Sequence, residues 1–313
     1  QALRDLETEG VLVRRRGSGS YVSPNLAPEH LAATRLDTVT ICFPEYQSLY
    51  VRQVIEGFME RMFEAGMKVT TYHAQMDADG EAAFLNTADR MCMAGLVMWL
   101  LHDTENVRRA LARLSQKRFP VVLVDRCPEG LDVDHVSSDN RAMGYELTRR
   151  LLDAGHRRIG FVTSSRDTAS TLVERHAGYV QALAEAGLDE DPRFLIRLDE
   201  QQESFRVEVA DTMAYRERPT AFVCINADLA WWGEEELVRL GWSGSDEMAL
   251  AFVDDRYPGD EGRLPCFTVR QDGSAMGMKC ADLLLERIQD PGKAPRGHVI
   301  AHGSIAVSGP EPN

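Results

Sequence analysis

The residues able to do chemistry follow short apolar runs. Pro44-Glu45-Tyr46 follows Val39–Phe43, Leu101-His102-Asp103 follows Leu96–Leu100, and Asp125-Arg126 follows Val121–Val124. In the second half Thr163-Ser164-Ser165 follows Ile159–Val162, Asn226-Ala227-Asp228 follows Ala221–Ile225, and Asp254-Asp255-Arg256 follows Ala249–Val253. Carboxylates, amides, an arginine fork and aromatic faces together suit a neutral polyhydroxylated molecule: Asp and Asn meet vicinal hydroxyls, Arg donates in a plane, and a ring covers C–H groups. Singly, Asp125 or Asp228 reads more naturally as a helix N-cap, so only the joint placement carries the ligand reading. Catalysis finds little support. The chain has no G-x-S-x-G, P-loop, H-E-x-x-H or post-strand G-x-G-x-x-G. His298 and His302 would stand roughly 13 Å apart on a strand, and the neighbours Asp254 and Asp255 would point apart. The expectation is a non-enzyme with no metal and no cofactor.

The elements that must position these groups alternate. After the strand at Val39 come Val51, Val54, Ile55, Phe58, Met59, Met62 and Phe63 at helical spacing, with Gly66 as the stop. The same order recurs as a strand near Val69, a helix over about Glu81–Cys92, a strand at Leu96, a helix near Val107–Ser115 and a strand at Val121. The second half repeats it, with helices over Ala142–Asp153, Leu172–Glu185 and Leu229–Leu240 ending at Gly155, Gly187 and Gly241. Continuous apolar strands between helices predict parallel sheets covered on both faces. About eight such units exceed one sheet, so two α/β lobes are expected, with ligand groups beyond the carboxyl ends of the strands.

Composition bounds the rest. A chain of 313 residues, 44% hydrophobic and 27% charged, is globular and long enough for a full core. A net charge of −14 argues against a protein coated in positive charge for nucleic acid or anionic lipid, though not against a small DNA-binding element. The longest apolar stretch, Ala94–Leu101, is too short to span a bilayer, and Gln1–Asp5 lacks the basic start and apolar middle of a signal peptide. Cys42, Cys92, Cys127, Cys224, Cys266 and Cys280 are widely spaced without a C-x-x-C pair, as expected of reduced thiols in the cytoplasm. Residues 1–35 carry Arg4, Arg14, Arg15, Arg16 and Arg35 against Asp5, Glu7, Glu9 and Glu29, a net of +1, leaving −15 for the remainder. Ser23–Glu29, with two prolines, reads as a linker, so a boundary is expected near 24–37.

Several ordered motifs now converge. Val124-Asp125-Arg126, Val136–Asn140, the run Leu152-Asp153-Ala154-Gly155-His156-Arg157-Arg158-Ile159-Gly160 and Glu174–Tyr179 come first. Asn226-Ala227-Asp228, Phe252–Asp255 and Thr268–Asp272 complete the set. Residues 38–313 thereby resemble the effector domain of the LacI/GalR family. The resemblance implies an α/β, two-lobed, type I periplasmic-binding-protein-like domain. Lobe 1 would hold about 38–138 plus 271–293, and lobe 2 about 139–270 plus 294–313. It also implies effector contacts from Arg175, whose fork would hold ring oxygens or hydroxyls, from Asp254, Asn226, Gln271 at a crossover and Asp125, and from Glu45, Tyr46 and Ser48 on the other lobe. Asn226-Ala227 departs from the family's frequent Asn-Asp, with Asp228 as the substitute acid. Trp231 and Trp232 are expected in core or interface packing before a sugar-capping role. The stretch His298–Ser304 lacks the family's usual basic residue.

Residues 1–23 are similar to the end of a GntR-family winged helix-turn-helix, with Ala2-Leu3-Arg4-Asp5-Leu6 inside a recognition helix and Arg16-Gly17-Ser18-Gly19-Ser20-Tyr21-Val22 in a two-stranded wing. A GntR-type head on a LacI-type body is similar to the arabinose-repressor arrangement. Arg4, Arg14, Arg15, Arg16, Gly17, Ser18 and Gly19 are the expected DNA contacts, because glycines let a basic hairpin tip approach phosphates. The function implied is a cytoplasmic, homodimeric regulator whose partners are operator DNA and a sugar effector, with no membrane. The alternatives are a transport solute-binding protein of the same fold and a regulator sensing a nucleobase or amino acid.

Overall fold

The computed structural model describes residue 8 and residues 12–15, 19–23, 37–44, 48–73, 77–164, 169–198, 202–242, 248–254, 262–303 and 305–308. It opens with a hairpin: β1 (Leu12–Arg15) pairs antiparallel with β2 (Gly19–Val22), Leu12 opposite Val22 and Arg15 opposite Gly19. This hairpin overlaps Arg16–Val22, the stretch read as a wing. Arg4, Arg16, Gly17 and Ser18 lie outside the described residues.

The first sheet belongs to the run β3 (Thr38–Phe43), α1 (Leu49–Glu64), β4 (Lys68–His73), α2 (Ala78–Thr87), β5 (Gly95–Trp99), α3 (Glu105–Gln116), β6 (Val121–Val124) and β7 (Asp134–Ser138). α4 (Asn140–Asp153) then opens the second run: β8 (Ile159–Ser164), α5 (Ser170–Glu185), β9 (Leu195–Leu198), α6 (Gln202–Met213), β10 (Ala221–Cys224), α7 (Ala227–Arg239), β11 (Ala249–Val253) and β12 (Cys266–Val269). α8 (Gly273–Gln289), β13 (Gly297–Ile300) and β14 (Ile305–Ser308) follow. The two six-stranded sheets have the orders β13-β7-β6-β5-β3-β4 and β14-β12-β11-β10-β8-β9, parallel throughout except for β14.

Burial explains the strands. Every residue of β5, β6, β10, β11 and β12 is buried, as helices on both faces require. Glycines stop the helices where expected: Gly66, Gly155, Gly187 and Gly241 have φ values of 71°, 96°, 70° and 98°, a region costly for a side chain. The helix expected over Glu81–Cys92 is shorter: α2 ends at Thr87 and tightens into a 3₁₀ turn, Ala88–Arg90.

Sheet membership corrects one boundary. The sequence reading places residues 294–313 in lobe 2, but β13 pairs with β7 in the first sheet, and only β14 crosses to pair with β12. The exposed, half-apolar sequence of β13 does not reveal which sheet edge it joins. The chain therefore passes between lobes three times, at β7–α4, β12–α8 and β13–β14. The helices that follow the first two crossovers each pack against the helix that follows the first strand of the lobe they enter, α4 on α5 and α8 on α1. Glycine makes these crossings close. A Cβ on Gly144 would overlap the Arg175 carbonyl, and one on Gly277 would overlap that of Val54.

Candidate functional site

The carboxyl ends of the central strands place two aspartates in matching positions. Asp125 follows β6 with φ 70°, and its N–H donates to the Val136 carbonyl at 2.8 Å. Asp254 follows β11 with φ 75°, and its N–H donates to the Val269 carbonyl at 2.8 Å. Among the described residues neither caps a helix. A non-glycine residue held in the left-handed region carries strain, and strain concentrates where a side chain must be aimed.

Arg175 stands in the second turn of α5 and is buried at 7% exposure. Its Nε donates to Asn140 Oδ1 at 2.8 Å and its Nη1 to the Ile225 carbonyl at 2.6 Å. Asn140, fully buried, donates in turn from Nδ2 to the Ser138 carbonyl at 3.0 Å. Sequence reasoning missed Asn140; its signal was an amide on the apolar side of an otherwise ordinary helix start. The guanidinium is thus aimed by the β7–α4 crossover.

Gln271 occupies the β12–α8 crossover, with both ends of its amide engaged. Its Nε2 donates to the Asp254 carboxylate at 3.1 and 3.2 Å, and its Oε1 accepts from the Ser138 hydroxyl at 2.8 Å. The Met276 sulfur lies 3.2 Å from that hydroxyl and 3.0 Å from the Tyr50 hydroxyl, which also donates to Asp125 at 3.2 Å. Trp99 meets Tyr50 edge-on at 5.6 Å. Tyr50, Ser138 and Met276 were also missed, because in the sequence they read as packing residues of α1, β7 and α8.

The electrostatics join both lobes. Burial pushes the Asp254 carboxyl up to about 6; the nearby Arg175 charge and the Gln271 amide oppose this, and Asp125 adds to it. Burial, then Asp125 and Asp254, push the Tyr50 phenol well up, so its hydroxyl remains a donor. A guanidinium, two carboxylates, a phenol and two amides therefore come together where the lobes meet. Such a set can donate to and accept from several hydroxyls at once.

The remaining expected residues divide. Ser48 caps α1, accepting from Val51 N at 3.5 Å, and Asn226 caps α7, accepting from Leu229 N at 2.9 Å. The cap after β10 is therefore Asn226, with the half-buried Asp228 in the first helical turn. Glu45, Tyr46 and Asp255 lie outside the described residues. The Leu101–Asp103 loop is tied into its own lobe. The buried Glu81 carboxylate accepts from Leu101 N at 2.8 Å and His102 N at 2.9 Å, while Asp103 grips Arg108 at 2.6 and 2.8 Å. Trp232 packs on the lobe 2 core near Phe205 at 6.4 Å, whereas Trp231 is 37% exposed. Among the described residues no group of His, Cys, Asp and Glu could hold a metal, and no helix is long and apolar enough to cross a membrane.

Residues 148–306, half of the chain, match the family described as periplasmic binding protein-like domain. The chain belongs to that family. Its relatives include the arabinose metabolism transcriptional repressor of Geobacillus stearothermophilus, 26% identical over 98% of this chain and 85% of the relative. The HTH-type transcriptional repressor PurR of Photobacterium profundum is 25% identical over 86% of this chain and 79% of its own. Among solved structures, a transcriptional regulator CelR–cellobiose complex superposes with a TM-score of 0.76 at 21% identity, covering 91% of this chain and 92% of that one. This periplasmic binding protein-like chain thus shares its two-lobed fold with a regulator, and its sequence relatives are transcriptional repressors.

Proposed function

We propose that this chain is a ligand-responsive transcriptional regulator whose lobes close on a hydroxyl-rich small molecule, a sugar. The observation that carries the reading is the convergence of Arg175, Asn140 and Asp254 from one lobe with Asp125 and Tyr50 from the other around the crossovers. Because each lobe contributes contacts, the ligand binds the closed arrangement more tightly and shifts the equilibrium toward it. Closure alters the geometry of two N-terminal winged domains in a homodimer, and a coupling of about 1–3 kcal/mol would be typical.

The hairpin Leu12–Val22 ahead of the lobes favours a regulator over a transport solute-binding protein. In this reading Arg14, Arg15, Arg16, Gly17, Ser18 and Gly19 form a basic wing against phosphates, with Arg4 on the recognition helix. The relatives' names support the regulatory role and give no support to an enzymatic one. Calorimetry with pentoses, hexoses and sugar acids tests the effector: saturable binding by at least one supports the proposal, and silence across the panel overturns the sugar assignment. Operator binding by the full-length protein should weaken steeply with salt, and replacing Arg14, Arg15 and Arg16 by Gln should flatten that slope. A salt-independent anisotropy signal would remove the wing from the DNA.

A further inference from the structure

At the opposite end of lobe 2 from the effector site, the amino ends of β8 and β10 and the end of α4 enclose a second hollow. It has a volume of about 420 Å³ and is lined by His156, Arg158, Arg218, Thr220 and Trp242, with the backbone of Ala154 and Gly155 at its edge. At ~3.3 Å per residue along the six-residue β8, it sits roughly 20 Å from the effector site.

Every ionisable side chain lining this hollow is basic, in a chain of net charge −14. Complementing the carboxyl-end dipole of α4 accounts for only part of that charge. Arg157, just outside the hollow, does this directly, donating Nη1 to the Leu152 carbonyl at 2.8 Å and to His156 O at 3.0 Å. Arg158 and Arg218 are used differently. Arg158 donates Nε to the Arg218 carbonyl at 2.7 Å, which fixes the side chain and leaves both terminal nitrogens without a partner among the described residues. The Arg218 guanidinium lies over the Trp242 ring at 4.7 Å and has no carboxylate partner among the described residues. Stacking holds its plane while its edge remains free to donate. His156 Nδ1 meets the Thr220 hydroxyl at 3.0 Å, adding a second pair of polar groups to the wall. Burial, then Arg157, lower the His156 pKa, so the neutral ring donates or accepts a hydrogen bond without adding charge near neutral pH.

Two guanidiniums, with one further donor from the bonded His156–Thr220 pair, around a hollow of this size match the acceptors of a tetrahedral oxyanion. We propose that this hollow is a second binding site, separate from the effector site, for a phosphate-bearing small molecule. The phosphate would lie between Arg158 and Arg218, with its organic part resting against Pro219 and the Trp242 edge.

Inorganic phosphate and glucose 6-phosphate are the probes, titrated at constant ionic strength against the whole chain and read by calorimetry and tryptophan fluorescence. Both should bind saturably, the phosphate ester more tightly. Arg158→Gln and Arg218→Gln should each weaken binding at least tenfold, whereas Arg158→Lys should retain part of it. Arg175→Ala, in the effector site, should leave phosphate binding unchanged. Thermal melts identify any variant that fails to fold; Arg158→Gln, which replaces an exposed side chain, keeps the test decisive if Arg218→Gln unfolds. Linear, unsaturable signals, or equal binding by wild type and Arg158→Gln, would overturn the site. Loss of glucose 6-phosphate binding in Arg175→Ala would place that ligand in the effector site and likewise overturn the proposal.

Discussion

The two lobes repeat one scaffold and fill it with different chemistry. Gly57 of α1 matches Gly178 of α5, and Gly144 of α4 matches Gly277 of α8, each barring a Cβ where a helix pair crosses. Asp139 caps α4 through Ala142 N, and Asp272 caps α8 through Ala275 N, both at 2.9 Å. Asp125 and Asp254 share a left-handed backbone after equivalent strands. The repeat breaks in the polar groups where the lobes meet. Arg175 and Asn140 in lobe 2 stand where lobe 1 has Val54 and Gly273, and Tyr50 of lobe 1 stands where lobe 2 has Thr171. What both lobes keep is the packing that fixes strand ends. What differs is the polarity presented there: Arg175 and Asn140 in lobe 2, Tyr50 in lobe 1.

The largest test of this comparison addresses the shared part. Gly144→Ala and Gly277→Ala should each destabilise by about 3 kcal/mol, because the added methyl meets backbone that cannot yield. Gly233→Ala, whose Cβ would sit 3.4 Å from the Phe205 ring, should be close to neutral. Urea unfolding of the three checks this, and a loss confined to one crossing would break the equivalence.

Next comes the unshared part. Arg175→Ala should weaken the effector by about 2 kcal/mol or more, since a buried donor is lost and Asn140 is left unpaired. Val54→Ala, at the matching place, should cost about 1–2 kcal/mol of stability and leave the folded protein's affinity nearly intact. Calorimetry beside thermal melts separates the two, and equal affinity losses would erase the distinction.

The smallest effect concerns the aspartate pair. Asp254 titrates near 6 in the folded protein against a usual 3.8, so its protonated form favours folding. The associated stability is fully present below about pH 4 and is lost as pH rises through about 6. Asp254→Asn should therefore be more stable than wild type at pH 8 by roughly 1–2 kcal/mol, with the gain vanishing toward pH 4. The same variant should bind effector less well. A stability difference that does not change with pH would exclude Asp254 as its source.

Much of this is legible in the sequence. Gly66, Gly155, Gly187 and Gly241 end helices as read, and the apolar runs before Asp125, Asn226 and Asp254 are strands. Their side chains had few alternatives: a continuous apolar run must be covered on both faces. The partners of those groups were not legible. Tyr50, Ser138, Asn140 and Met276 gain their role from crossovers that bring distant stretches of chain together, and no local period encodes that. Nor did composition assign β13, because an edge strand with exposed Gly297 and Val299 carries no mark of its neighbour.

The glycine crossings also determine where the molecule can bend. α4 is clamped to α5 from Gly144 onward, and α8 to α1 from Gly273 onward, so almost no slack remains between the last strand residue and the first rigid helical turn. Any opening must be absorbed by a few peptide units around Ser138 and Gln271, the pair whose side chains already bond to each other, and at the third passage between β13 and β14. Neither half then has to be reshaped: torsions at these three short passages are enough to tilt one sheet against the other.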